Sequence, residues 1–157
     1  MNLDELLARE AIRDTMARYT IAGPRLKEGE FIPVFTEDAI MESEGVPAQD
    51  AFRYEGREQI RQWISRWRNR PEGAAATHQA TFVRHHLSTS QIDLTGSDSA
   101  RARTYWVAYT DIGPDHAGYY LDTFPKQGDS WLIAHRRVRH WRSPQSLFTT
   151  AIAHSNQ

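Results

Sequence analysis

The sequence predicts an α+β domain in which three N-terminal helices pack on one face of a curved, mostly antiparallel sheet. Apolar residues recur at helical spacing in the first part of the chain. From His78 onward the pattern changes to runs rich in β-branched and aromatic residues, separated by turn formers. At 157 residues, with 39% hydrophobic and 25% charged residues, the chain has material for one core and no second domain. Helices first and an antiparallel meander afterwards place the helices on one side of the sheet. If that sheet curls strongly, its concave face and the helices enclose a cone that can hold a small molecule.

The first helix follows from Leu3, Leu6, Leu7, Ala11, Ile12, Met16 and Tyr19, with Asn2 and Glu5 at capping-box spacing and Gly23-Pro24 as its stop. Leu26, Phe31, Val34 and Phe35 then form a short, Pro-interrupted helical piece. A turn at Thr36-Glu37-Asp38-Ala39 leads into a strand through Ile40 and Met41. After a loop and Tyr54-Glu55-Gly56, the residues Ile60, Trp63, Ile64 and Trp67 share one helical face opposite arginines and polar groups, which predicts a third, amphipathic helix. Four long strands follow, over THQATFVRHHLSTSQIDL, SARARTYWVAYTDI, HAGYYLDTFPKQ and SWLIAHRRVRHW. LTGSDSA and PKQGDS read as hairpin turns, and DIGPDHAG as a looser connection. The core spans about residues 5–142, and 143–157, with Leu147, Phe148 and Ile152, form a tail that either frays or folds back as a lid.

Composition removes several functions. Zero cysteines exclude a disulfide framework, thiolate catalysis and Cys-ligated zinc. No run is long and apolar enough for a membrane span, and MNLDELLARE does not resemble a signal, so a cytoplasmic location is expected by default. A formal charge of -1 gives no field for nucleic acid. Seven histidines raise the question of a metal. None of them stands in an HxH or HExxH spacing, so no metal site is expected, and Gly-rich phosphate loops and a GxSxG elbow are absent too.

Most candidates for chemistry lie on the strands. In Arg84-His85-His86, adjacent side chains face opposite ways, so at most one imidazole looks into the cone; such a residue is either structural or a proton acceptor. The basic run from Trp131 to Arg142 is either a solvated edge or contains an arginine turned inward to hold an anionic oxygen. Tyr19, Tyr54, Tyr105 and Tyr120 offer phenols, with Trp106 as a further lining ring; some of these fill the core. Asp122, in an apolar strand, pairs with an arginine on a neighbouring strand or acts as a base.

The order REAIRDTMARYTIAGP, EFIPVFTEDAIMES, YEGREQIRQWISRW, FVRHHLSTSQIDL, ARARTYWVAYTDI and GYYLDTFPKQGDSWLIAHRRV resembles the SnoaL-like branch of the nuclear-transport-factor-2-like superfamily over nearly the whole chain. The resemblance implies a cone-shaped α+β barrel, a homodimer or homotrimer, and a ligand cavity between sheet and helices. It also implies activity without a cofactor, as in scytalone dehydratase, bile-acid dehydratase and hexachlorocyclohexane dehydrochlorinase. By position, the family's catalytic histidine falls on His85, a substrate-contacting tyrosine on Tyr19 and an active-site arginine on Arg136. One position departs. The aspartate that partners the histidine in those lyases is replaced by Pro24, leaving Glu28, Glu42 and Asp122 as substitutes.

The resemblance thus implies a cofactor-independent lyase, and the aromatic-rich composition favours a hydroxylated aromatic or polycyclic small molecule as its substrate. His85 removes a proton, Tyr19 or Tyr54 hydrogen-bonds the oxygen that gains charge, and Arg136 stabilises the anion as water or formaldehyde departs. Tyr105, Trp106, Tyr120 and Asp122 complete the substrate-binding set. The alternatives are an isomerase or cyclase using the same residues, or a module that only binds a ligand.

Overall fold

A computed structural model of the chain describes residues 2–48, 51–68, 82–111 and 113–142. The tail at 143–157 lies outside the described residues. Helix α1 spans Leu3–Ala22 and starts with the expected box: the Glu5 amide donates to Asn2 Oδ1 at 2.9 Å and the Asn2 amide donates to Glu5 Oε2 at 3.2 Å. It ends where the Gly23 amide closes on the Tyr19 carbonyl, just before Pro24. Its apolar stripe is shorter than the sequence suggests. Ile12 and Met16 are buried, whereas Leu3, Leu6 and Leu7 are exposed. Lower on the helix, Thr15 donates to the Trp131 carbonyl at 2.6 Å, which ties α1 to the sheet.

The short helical piece resolves into α2, Glu28–Phe31, and a 3-10 turn over Ile32–Val34, where Pro33 supplies a residue with no amide proton to satisfy. Strand β1, Phe35–Ser43, and the three-residue β2, Arg53–Glu55, precede α3, Gly56–Arg68. Ile60 and Ile64 of α3 are buried in the main core, which also holds Phe31, Phe35 and Met41. The sheet then runs through β3, Val83–Leu94, β4, Ser99–Thr110, β5, Gly113–Gln127, β6, Ser130–Trp131, and β7, Ile133–Arg142. Its order is β2-β1-β7-β5-β4-β3, with β6 attached to β5; only the β1–β7 pair is parallel.

The cone-shaped barrel expected from the family resemblance is an open sheet. β2 pairs only with β1 and β3 only with β4 among the described residues, so the ladder ends at both edges instead of closing.

Two strand readings also change. The connection expected over DIGPDHAG is mostly sheet, because β5 already begins at Gly113 and pairs with Thr110. The final strand is broken at Leu132: β6 completes a hairpin with β5 across Gly128, whose φ of +59° suits glycine, and β7 starts afresh. Simple alternation from Trp131 to Trp141 therefore fails. Trp131 and Ile133 are buried, yet the next fully buried side chain is Arg136, and β1 absorbs the shift in its register between Phe35 and Ile40.

Gly118 allows β5 to lie close under β7. A Cβ placed there would overlap the Arg139 carbonyl and stand 2.9 Å from the His140 Cα, both backbone groups that have no rotamer to yield. Gly118→Ala is expected to lower stability by about 1–3 kcal/mol. Thermal melting would check this, and an unchanged Tm would refute the packing argument.

Candidate active site

The chemistry-bearing residues meet on the helix-facing side of β3, β4, β5 and β7. A bulge on β5 sets up one end. Ala108 pairs with His116 and Tyr109 with Pro114, so Asp115 is the extra residue. The bulge breaks the two-residue alternation and turns both Asp115 and His116 into the interior, with side chains only 5% and 7% exposed. His116 Nδ1–H donates to Asp115 Oδ2 at 2.6 Å, a charge-assisted contact that fixes the ring.

On the neighbouring pair of strands, His85 lies opposite Ala108. Its ring meets His116 edge-to-face at 5.6 Å between centroids and tilts against Trp106 at 5.3 Å. Burial pushes the His85 imidazole down to about 4, and the neighbouring His116 and His86 push in the same direction. His85 is thus neutral at ordinary pH and has a lone pair with which to take a proton. His86 points the other way: it is exposed and edge-on to Tyr109.

Deeper in, Trp106 stacks on Tyr120 at 5.5 Å, and Tyr120 meets Tyr19 edge-on at 5.7 Å. The Arg136 guanidinium carbon lies 3.9 Å from the Tyr19 ring centroid and 4.0 Å from that of Tyr120. Its Nε donates to Asp122 Oδ1 at 2.8 Å and its Nη2 to Asp122 Oδ2 at 2.7 Å, a bidentate pair with both side chains essentially without solvent contact. Burial alone would lower the Arg136 pKa, but the Asp122 carboxylate more than reverses this and leaves it raised. Burial also raises both phenols, which Arg136 only partly opposes, so Tyr19 and Tyr120 stay protonated and can donate.

Two buried donors in this cluster, Arg136 Nη1 and Trp106 Nε1, lack a hydrogen-bond partner among the described residues. Both flank Tyr120 and both suit an oxygen acceptor.

The structure thus brings together His85, Tyr19, Arg136, Trp106, Tyr120 and Asp122. Asp122 serves as the partner of Arg136, the pairing alternative of the sequence reading. Two expected binding residues lie elsewhere. Tyr105 is on the opposite face, exposed, beside Arg103 and Tyr119, because its position on β4 has the parity opposite to Trp106. Tyr54 packs on Phe52 and Trp63 under Arg66 at the β2 edge, and its ring contacts reach Tyr19 through Trp63 and Phe31.

The carboxylates proposed to replace the residue at Pro24 have other partners. Glu42 binds His135 at 2.7 Å and also Arg53, while Glu28 pairs with Arg61 and accepts from Ser65. The buried carboxylate–imidazole pair is Asp115–His116, which sequence reasoning missed. Its only sequence signal is the adjacency of an acid and a histidine beside Gly113-Pro114, and a loop reading hides it. Among the described residues, no group of three or more His, Asp or Glu side chains is placed to hold a metal ion, and no helix is long and apolar enough to cross a membrane.

Solved structures of similar shape are numerous. A candidate scytalone dehydratase from Novosphingobium aromaticivorans is 22% identical, with a TM-score of 0.69 and coverage of 91% of this chain and 92% of the other. The hexachlorocyclohexane dehydrochlorinase LinA-type3 from Novosphingobium barchaimii is 17% identical, with a TM-score of 0.70 and coverage of 92% and 94%. A Mycobacterium tuberculosis protein of unknown function is 21% identical, with a TM-score of 0.75 and coverage of 96% and 87%. At these identities the likeness establishes the fold and not the reaction. No curated protein sequence matches the chain. The model of the SnoaL-like domain matches residues 4–137, and the chain belongs to that family.

Proposed function

We propose that the protein is a cofactor-independent lyase for a hydroxylated, aromatic small molecule. His85 takes a proton: from a carbon beside a carbonyl when water is expelled, or from the β-hydroxyl when the C–C bond breaks, formaldehyde leaves and the carbon left behind is reprotonated. The observation that carries this reading is the pair of orphaned donors, Arg136 Nη1 and Trp106 Nε1, in the same ring-lined interior as a neutral imidazole. A neutral base together with unpaired donors for a developing oxyanion is what proton abstraction next to a carbonyl requires. The dehydratase-like and dehydrochlorinase neighbours of this fold lend support. The two adjacent imidazoles also favour a second reading, in which a proton taken by one is returned by the other and the substrate is isomerised.

Mass spectrometry of the purified protein incubated with aromatic β-hydroxy ketones separates the two. A product lighter by one water or one formaldehyde supports the lyase, and a product of unchanged mass supports the isomerase. In the same assay Tyr105→Ala is expected to stay within about threefold of the wild type, whereas Trp106→Phe, which removes an interior donor, is expected to lose about tenfold or more. Equal losses would show that both faces, or neither, bind substrate. The exposed Tyr105, Tyr109 and Trp141 on the outer face support the homodimer or homotrimer that the resemblance implies. Sedimentation would distinguish the two.

A further inference from the structure

Building on that lyase reading, we propose that His116, held by Asp115, is the acid arm of the site. It delivers a proton to a leaving oxygen while His85 takes the proton from carbon. Three features support the division of labour. The bulge aims two successive side chains at one interior, which costs the regular ladder of β5. Asp115 lies 2.6 Å from His116 Nδ1, and a carboxylate there stabilises positive charge on the ring. His85 has no such partner among the contacts around it, which are Trp106 and His116, and it stays neutral. Two imidazoles with opposite environments, side by side, are suited to opposite proton transfers.

With Nδ1 engaged by Asp115, the proton transferred is the one on Nε2. In the step, the C–H bond breaks toward His85 and its electrons become the new C=C bond. The C–O bond breaks as the oxygen receives the His116 proton, and water leaves. His85 is then protonated and His116 neutral; passage of one proton from His85 to His116, whose rings are in edge contact, restores the starting state. The inference narrows the substrate class. Hydroxide and alkoxide are poor leaving groups and need this proton, whereas chloride does not. The chain is therefore built to eliminate an oxygen leaving group.

The test uses two probes that give the same enone: the aldol adduct of acetone and benzaldehyde, and its analogue with chloride in place of the benzylic hydroxyl. His116→Gln is expected to slow elimination of water by about 10²–10⁴-fold and elimination of chloride by less than about tenfold. Asp115→Asn, which removes the positioning carboxylate, should show the same selective loss. His85→Gln should slow both probes. Equal effects of His116→Gln on both probes, or none on either, would overturn the acid assignment, while an unimpaired His85→Gln would instead overturn the lyase reading beneath it. Ring-nitrogen NMR at neutral pH gives an answer without turnover. His116 is expected to be protonated on both nitrogens in the wild type and on one in Asp115→Asn, and a neutral His116 in the wild type would refute the proposal.

Discussion

Asp122→Asn is expected to lower stability by about 3–5 kcal/mol, because it leaves the Arg136 guanidinium buried without its counter-charge. Both side chains are essentially without contact to bulk solvent, so little screening replaces the lost carboxylate. The two tyrosine faces that sandwich Arg136 offset only a small part of the cost. The double variant Asp122→Leu/Arg136→Met should recover most of that stability, since an apolar pair of similar volume removes both desolvation penalties. It should not recover turnover, because Nη1 goes with the guanidinium. Chemical denaturation of the two variants beside the wild type checks the first two statements. If Asp122→Asn melts like the wild type, the pair is not the buried ion pair described.

His85→Gln carries the largest expected effect on activity, a loss of about 10²–10⁴-fold, the usual contribution of a general base. Its fold should persist, since the ring contacts Trp106 and His116 at the rim of the cluster and does not belong to the main core. The same residue predicts a pH dependence of stability. An unfolded chain binds a proton at His85 near 6.5, and the folded chain only near 4. Between these values the unfolded state holds more protons. Stability is therefore complete above pH 6.5 and falls as the pH drops toward 4, by at most about 3 kcal/mol. His85→Gln should flatten that part of the curve. A denaturation series across this window with identical slopes for both proteins would contradict the burial of the imidazole. In the wild type, activity should show no acid limb near 6.5 attributable to His85.

Much of the molecule was legible along the chain. The Asn2–Glu5 box, the Gly23-Pro24 stop and the Ile60–Ile64 face each obey local rules, and each is found in place. Where a residue's partner is a strand away, local rules did not suffice. Tyr105 and Trp106 are both plausible lining rings by type, and only the facing of β4 separates them. Leu3, Leu6 and Leu7 continue the helical stripe by sequence, yet they are exposed among the described residues. Period two failed at the break before β7 and at the bulge in β5, because a bulge is set by pairing with another strand and not by the residues that form it.

By itself the sequence determined the α+β class, the helix limits and the set of ionisable side chains available, since helix caps, periodicity and composition act within a few residues. Only the tertiary structure decided which carboxylate serves which cation. It gave Asp122 to Arg136 and Asp115 to His116, and it left two donors facing the interior. Such pairings arise from register and bulges between strands far apart in the chain, and in a desolvated interior a charge is stable only where that register supplies its partner.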